Sequence, residues 1–196
     1  MKLIMDGELY GSELKDQELL DKLNAYMGEK KKEGKVVKQC LVNGEEPPNF
    51  KEQLPRELKS GVVEEVEIVT IHQDKLAEET LESALAYMDN LNAYIRTISK
   101  QLDQGQGFER KPFLRMTDGL EWLYQVSSRL AELYDNADFS ACHKDLYQVF
   151  ESLNTCLERE DFTCLKAVLE DDLQANLNHT QTVYQAQLNA LKGGKD

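Results

Sequence analysis

The histidines and cysteines are the side chains of this sequence best suited to acid–base, nucleophilic or metal chemistry. The histidines are His72, His143 and His179, and none belongs to an HExxH or Glu-x-x-His pattern. Those patterns place metal ligands on one face of a helix. Cys142 directly precedes His143, but adjacent residues of a helix point about 100° apart and do not face each other. The sequence therefore predicts no catalytic residue, no metal site and no cofactor site.

Acidic side chains form a dense cluster at Glu170-Asp171-Asp172, inside a helical pattern. Such a cluster has two interpretations, a site for a cation or a basic partner, and a solvated helix face. We adopt the solvated face, because charge runs most often lie in solvent. The sequence also contains no glycine-rich phosphate-binding loop and no GxSxG nucleophile motif.

The overall charge argues against two classes of partner. The chain has 23 Lys and Arg against 36 Asp and Glu, a formal net charge of −13. Binding to nucleic-acid phosphates or to anionic lipid requires clustered basic side chains, so we expect neither nucleic acid nor membrane as a partner. No apolar run approaches the roughly 18 residues of a membrane span, and Asp6 interrupts the first apolar run too early for a signal peptide.

The cysteines favour a cytoplasmic location for the protein. They form no CxxC pair, and three of them fall within helical patterns. We therefore predict reduced, mostly buried thiols, which are typical of the cytoplasm. The four residues are Cys40, Cys142, Cys156 and Cys164.

Two aromatic residues are candidates for binding a partner. Phe108 lies in a segment that follows a glycine-containing helix break and precedes Pro112, and large side chains on such loops often carry function. Trp122 borders the apolar stripe of a predicted helix, so it packs at the edge of the core or anchors an interface. We name Phe108 and Trp122 as the partner-binding residues.

The elements that position these residues begin with a mixed module over residues 1–72. Asp6-Gly7 separates two short apolar runs, which predicts a hairpin with a type I′ turn. A helix over 12–32, a strand over 36–42, a short helix over 51–58 and a strand over 62–71 follow, with Asn43-Gly44 as a second turn. This order and size resemble the ubiquitin-like β-grasp fold.

Residues 73–196 show helical periodicity throughout. Apolar residues recur every three or four positions over 81–102, 113–133, 139–156 and 162–191, separated by short breaks that include residues 104–107. The Asp-Phe-Ser/Thr triplets at 138–140 and 161–163 predict helix starts, with Asp as the cap and Phe at the start of the buried stripe. Four helices with short connections predict an antiparallel four-helix bundle, so the fold class is α+β.

Two further resemblances concern the helical part. The run from Leu157 to Leu165, continued by Leu169-Glu170, resembles a pattern found in uncharacterised helical proteins of bacteria. The early strand–turn patterns resemble the N-terminal part of the same proteins. A small acidic helical bundle is also similar in shape to flagellar export chaperones, although the N-terminal module departs from that class.

Three functional hypotheses remain open. The first is a non-enzymatic interaction factor, an adaptor, chaperone or assembly factor, which binds a protein through the bundle or a sheet edge. The second is an enzyme or small-ligand binder with a site at the junction of module and bundle, where His72 lies. The third is a structural homo-oligomer. We prefer the first, because the sequence contains no catalytic constellation.

Overall fold

The computed structural model describes residues 1–47, 50–105 and 108–193. The chain divides into two compact units, Met1–Leu76 and Ala77–Asp196. Each unit has its own cluster of buried apolar side chains. We describe each unit by itself.

The first unit is a four-stranded mixed sheet with two helices, in the strand order β2-β1-β4-β3. The pair β1–β4 is parallel, whereas β1–β2 and β3–β4 are antiparallel. This β-grasp-like arrangement confirms the predicted α+β class. The elements are β1 Lys2–Met5, β2 Glu8–Gly11, α1 Asp16–Lys32, β3 Lys35–Val42, α2 Phe50–Ser60 and β4 Glu65–His72.

Both predicted turns are present, and the first residue of each also holds strand β4. Asp6 and Gly7 have φ of 49° and 81°, and Asn43 and Gly44 have φ of 52° and 83°, the left-handed values that a type I′ turn requires. The Asn43 side chain accepts hydrogen bonds from the backbone of residues 64 and 65 and donates one to the carbonyl of residue 62. Asp6 makes the equivalent contact with Thr70 of β4.

Helix α1 begins at Asp16, later than the predicted start at Ser12. Glu13 has a left-handed φ of 57°, and the Leu14 N–H donates to the Met1 carbonyl at 3.0 Å. The chain is therefore still extended beside β1 at these residues, and the helix cannot begin before them.

The second unit is an antiparallel bundle of four helices, as predicted. Side-chain contacts set the direction of the first and last helices. Lys192 contacts Glu82, Gln181 contacts Asp89 and Lys166 contacts Asp103, so residue numbers rise in one helix as they fall in the other. The elements are α3 Gln73–Asp103, α4 Arg110–Tyr134, α5 Ala137–Glu158, α6 Phe162–Ala167, a π-helical segment Val168–Leu173, and α7 Gln174–Gly193.

The last three elements follow one another without a break, and we call residues 162–193 the fourth helix. Of the predicted break at 104–107, Gln104 and Gly105 follow α3, and 106 and 107 lie outside the described residues. Helix α4 begins at Arg110, before the predicted start at Phe113, because Pro112 is tolerated in a first helical turn whose N–H groups have no helical partner.

The predicted helix start at Phe162 is correct, whereas α5 begins at Ala137, two residues before the predicted start, and has a different cap. Asp161 caps α6 as expected, accepting from the Cys164 N–H at 2.9 Å. The cap of α5 is Asn136, which accepts from the Asp138 N–H at 2.8 Å, rather than Asp138 itself. Phe139 is fully buried as predicted, whereas Phe162 is 49% exposed.

The prediction of four reduced cysteines is wrong for two of them. Cys156, near the end of α5, is joined by a disulfide to Cys164 of α6. The tight turn between the helices brings the two Cα atoms to 5.6 Å, within the range that a disulfide spans. Cys40 and Cys142 are free and buried. The predicted cytoplasmic location therefore loses the support that four free thiols offered it.

Candidate functional site

Phe108 packs in a small aromatic cluster at one end of the bundle. Its ring centroid lies 4.8 Å from that of Phe113 and 6.2 Å from that of Phe162. Phe108 is itself only partly buried. This cluster presents an apolar surface to solvent chiefly through Phe162.

Trp122 lies elsewhere, on the outer side of α4. It is 36% exposed and meets the Tyr87 ring of α3 edge to face, with centroids 5.8 Å apart. Trp122 is twelve residues beyond the start of α4, or roughly 18 Å along the axis at about 1.5 Å per residue. The two residues predicted to bind a partner therefore do not form one surface.

The three histidines lie in three different environments. His72 is exposed at the end of β4. His143 is half-buried and stacked on Tyr124 with centroids 3.9 Å apart, its Nδ1 3.2 Å from the Tyr124 carbonyl oxygen. His179 is exposed on α7. Across the described ranges, no three His, Cys, Asp or Glu side chains come close enough to hold a metal ion.

A polar groove of about 520 Å³ runs between α5 and the fourth helix. Its residues recur at helical spacing on both helices, so two parallel stripes of side chains face each other. We call this feature the α5 groove. The residues that line it are Asp145, Gln148, Val149, Ser152, Asp172, Ala175, Asn176 and His179.

The end of the π-helical segment and the start of α7 form one wall of the α5 groove. Asp172 belongs to this segment, and Ala175, Asn176 and His179 follow directly after it. A π turn widens the helix by one residue and changes the direction of every side chain beyond it, and such bulges occur frequently at functional sites.

Leucine spacing explains why the helix widens here. Leu165, Leu169, Leu173 and Leu177 are all essentially fully buried, and each is four residues from the next. In an α-helix four residues advance by about 400°, so three such steps would rotate the stripe by about 120°. The wider π turn takes up this drift and keeps the leucines in the core.

Asn176 is the unusual residue of the α5 groove. It lies in the groove wall, is only 6% exposed, and neither its amide nitrogen nor its carbonyl oxygen has a hydrogen-bond partner. A buried polar group without a partner costs about 1–3 kcal/mol. Gln174, two residues earlier, satisfies its amide by donating to Asn92 Oδ1 at 2.9 Å. Both atoms are themselves fully buried, so Asn176 borders the groove through its other atoms.

The α5 groove is negatively charged. It contains the carboxylates of Asp145 and Asp172, and its eight described lining residues include no lysine or arginine. The nearby Lys166 is already paired with Asp103 and, at 3.7 Å, with Glu170. The acidic cluster at 170–172 is thus divided: Glu170 pairs with Lys166, Asp171 lies in solvent, and Asp172 lines the groove.

Sequence reasoning named His179 and Asp172 but did not combine them into a site. The site is built from two helices, and the pairing of their faces depends on the direction and register of the bundle. One signal was present in the sequence. Asn176 and Thr180 interrupt the apolar stripe between Leu173 and Tyr184, and polar residues in a core stripe require partners.

The fold is an α+β protein whose helical unit has a groove between α5 and the fourth helix. Residues 79–182 match the family described as a domain of unknown function (DUF8042). The chain belongs to this family, which confirms the prediction of an uncharacterised family. The matched range contains every residue that lines the α5 groove.

The other comparisons found no relative. No curated protein matches the chain, and no solved structure matches it. Within the described residues, none of the helices combines the length and the apolar character that crossing a membrane requires.

Proposed function

We propose that this chain is a non-enzymatic binding protein that holds a segment of a protein partner in the α5 groove. The observation that carries the proposal is the groove itself, which lies between two helices and is lined mostly by polar side chains. Polar groups placed in a concave site fix the orientation of what binds there.

The dimensions and lining of the groove fit a side chain or two of a partner. A volume of about 520 Å³ lies within the range of ligand sites, about 300–1,000 Å³. Most of the lining side chains are polar, and Val149 and Ala175 supply the apolar contacts. Polar and apolar atoms contribute similar shares of the groove surface, which fits a partner segment that carries both kinds of group.

The side chains of the groove favour binding over catalysis. Ser152 and His179 both line it, and a serine nucleophile needs a histidine within hydrogen-bond reach. Among the described residues, no hydrogen bond joins Ser152 to His179. The similarity in shape to flagellar export chaperones is in keeping with a binding role, and a bacterial origin stays a prediction.

The test fills the groove without touching the core. Ala175 lines the groove and is exposed, whereas Ala186 is exposed on the same helix and is not among the residues that line the groove. Full-length wild type, Ala175→Trp and Ala186→Trp are immobilised and exposed to lysate of the source organism. We expect a stoichiometric protein that wild type and Ala186→Trp retain and Ala175→Trp loses. Equal retention by all three would contradict the proposal.

A small-molecule binder is the second candidate, favoured by the groove volume. It is distinguished by native mass spectrometry of protein purified from its source. A non-covalent mass increment present in wild type and absent in Ala175→Trp supports this candidate. An enzyme site near His72 and a homo-oligomer stay predictions, and the same mass measurement reports the oligomeric state.

A further inference from the structure

We infer that residues 168–180 of the fourth helix open locally in the folded protein, while both ends of that helix stay in place. We call these residues the 168–180 segment. It comprises the π-helical residues Val168–Leu173 and the first two turns of α7. The inference goes beyond the proposed function and does not depend on it. Three observations carry it: unpaired polar atoms in the core, an irregular backbone, and firm attachments on both sides.

Buried polar atoms of the 168–180 segment oppose its packing in the core. Neither polar atom of the Asn176 amide has a hydrogen-bond partner, and both atoms are fully buried. One turn later, the Thr180 hydroxyl has no oxygen or nitrogen partner and lies near the thiol of Cys142, which forms only weak hydrogen bonds. Water would hydrate all three atoms once the segment opened, so closing the segment must overcome the loss of that hydration.

The backbone of the segment is irregular, and apolar burial keeps it closed. Its first six residues form a π-helix, a conformation that is rare in proteins and occurs mostly as single turns. The side chains of Leu169, Leu173 and Leu177 are buried and favour the closed form. Gln174 adds one hydrogen bond to Asn92 of α3 at 2.9 Å. The closed form therefore prevails, and the open form is a minor population.

Both ends of the 168–180 segment are held in place. Before it, Cys164 of α6 is joined to Cys156 of α5 by the disulfide. After it, Tyr184 of α7 shares a buried hydrogen bond of 2.7 Å with Ser127 of α4. The segment can therefore unfold without release of its two ends, as a local opening rather than a global one. Because it contains one wall of the α5 groove, each opening changes the shape of that groove.

Native-state hydrogen exchange of the full chain, followed by NMR, tests the inference. The amides of residues 172–180 are compared with those of residues 146–153 in the middle of α5. Asn176→Leu and Thr180→Val each replace a buried polar side chain by an apolar one, and valine has nearly the shape of threonine. The control is Asn178→Leu, which makes the same change at an exposed position of α7.

We expect the amides of residues 172–180 to have protection factors at least about ten-fold lower than those of α5, and their exchange to depend little on low concentrations of denaturant. Asn176→Leu and Thr180→Val should each raise these protection factors about five- to ten-fold, and Asn178→Leu by less than about two-fold.

Equal protection of residues 172–180 and of α5 would overturn the inference, because opening would then be global. Exchange of the segment that is unchanged in both Asn176→Leu and Thr180→Val would also overturn it. If Asn176→Leu lowers overall stability through its larger side chain, Thr180→Val decides, since it adds almost no volume.

Discussion

At the scale of single residues, Asp6 joins three elements of the first unit. Its carboxylate accepts hydrogen bonds from the Thr70 N–H at 2.6 Å, the Thr70 hydroxyl at 2.7 Å and the Tyr26 hydroxyl at 2.7 Å. Burial alone would raise the pKa of Asp6, but the bonds from Thr70 and Tyr26 hold it below its ordinary value of 3.8. The ionised carboxylate is therefore the form that the fold prefers.

This preference makes the stability of the first unit depend on pH. A depressed carboxyl pKa contributes stability above pH 3.8, and the contribution is lost as pH falls through the folded pKa. Asp6→Asn keeps the turn, because Asn tolerates a positive φ. We expect it to cost about 1 kcal/mol at pH 7, since the site is partly exposed.

Denaturant unfolding at pH 7 and pH 3 measures both effects. Wild type should lose more stability than Asp6→Asn between these pH values, so the two curves converge at low pH. Glu8→Gln, in the same hairpin, serves as the control. A constant difference between wild type and Asp6→Asn at all pH values would contradict the role of the ionised carboxylate.

In the second unit, a buried hydrogen bond joins Ser127 of α4 to Tyr184 of α7. The two hydroxyl oxygens are 2.7 Å apart, and both residues are fully buried. Burial raises the pKa of Tyr184, and the hydrogen bond with Ser127 opposes this shift. Removing one partner leaves the other hydroxyl unsatisfied.

We therefore expect Tyr184→Phe and Ser127→Ala each to cost about 1–2 kcal/mol of unfolding free energy. The double variant should cost less than their sum by about 1 kcal/mol, because both partners are then gone. The exposed Tyr147→Phe should change stability by less than about 0.5 kcal/mol. If the cost of the double variant equals the sum of the two single costs, the hydrogen bond between Ser127 and Tyr184 contributes nothing to stability.

Residue type alone predicted only part of the candidate site. Phe108 and Trp122 were chosen because large aromatics anchor interfaces, and the structure places them on separate surfaces. The structure also shows that Asn176 is buried without a hydrogen-bond partner for its amide. Burial of one polar side chain depends on the neighbouring helix, and single-sequence periodicity contains no information on that neighbour.

At the scale of elements, two helical glycines have opposite environments. Tyr87 of α3 lies over Gly119 of α4, in the space that a Cβ would occupy, whereas a Cβ at Gly28 of α1 would meet nothing. Tyr87 also donates to the Arg115 carbonyl at 3.2 Å and packs on Trp122. Gly119 is therefore required for the contact between α3 and α4.

We expect Gly28→Ala to stabilise the first unit by about 0.5–1 kcal/mol through helix propensity. Gly119→Ala gains the same propensity but displaces Tyr87, and should destabilise the second unit by about 1 kcal/mol net. Fluorescence of Trp122, the only tryptophan, reports the displacement directly. Unchanged emission in Gly119→Ala would show that Tyr87 is not seated as described.

The disulfide joins α5 to α6. It lies one helical turn from the α5 groove. Cys156 is one turn after Ser152, and Cys164 one turn before the π-helical segment. A cross-link eight residues apart is expected to stabilise the fold by about 2–3 kcal/mol in the chain-entropy model. Reduction, or replacement of both cysteines by serine, should remove this amount.

Thiol titration and unfolding together check this prediction. Without reductant, denatured wild type should show two thiols, those of Cys40 and Cys142. Addition of reductant should lower the stability of wild type and leave that of the double serine variant unchanged. Four thiols before reduction would contradict the assignment.

Helices, strands and turns were predicted well where the local sequence determines the backbone conformation. The Asp-Gly and Asn-Gly turns specify hairpins by backbone conformation, and the leucine stripes specify helices. The π-helical segment was not predicted, although its signal, repeated spacing of four residues at Leu165, Leu169, Leu173 and Leu177, is in the sequence. A single step of four residues fits an α-helix almost as well as a π-helix. Only the rotation that accumulates over several such steps distinguishes the two helix types.

At the scale of the whole molecule, the two units have separate cores. The buried cluster of the first unit extends from Leu3 to Ile68, and that of the second from Ala77 to Leu188. A unit with its own core can fold alone. We expect residues 73–196, produced as a fragment, to show helical circular dichroism and a cooperative thermal transition.

The comparison is with the same transition in the full chain. If the transition temperature of the fragment agrees within a few degrees with that of one unfolding phase of the full chain, the result would support independent folding. A fragment without a cooperative transition would show that the helical unit depends on the first unit for its stability.

The parallel pairing of β1 with β4 has a consequence for synthesis on the ribosome. Lys2 is paired with Glu65, and Met5 with Ile68, so β1 emerges long before the strand that completes its side of the sheet. At about 5–20 residues per second, the interval is roughly 3–12 seconds. During that time β1 and β2 can form a hairpin, but the inner edge of β1 stays open to strands of other nascent chains. In the second unit, α4 and α5 pair with each other as neighbours in sequence, whereas α3 must wait for the fourth helix, since Glu82 and Lys192 are 110 residues apart.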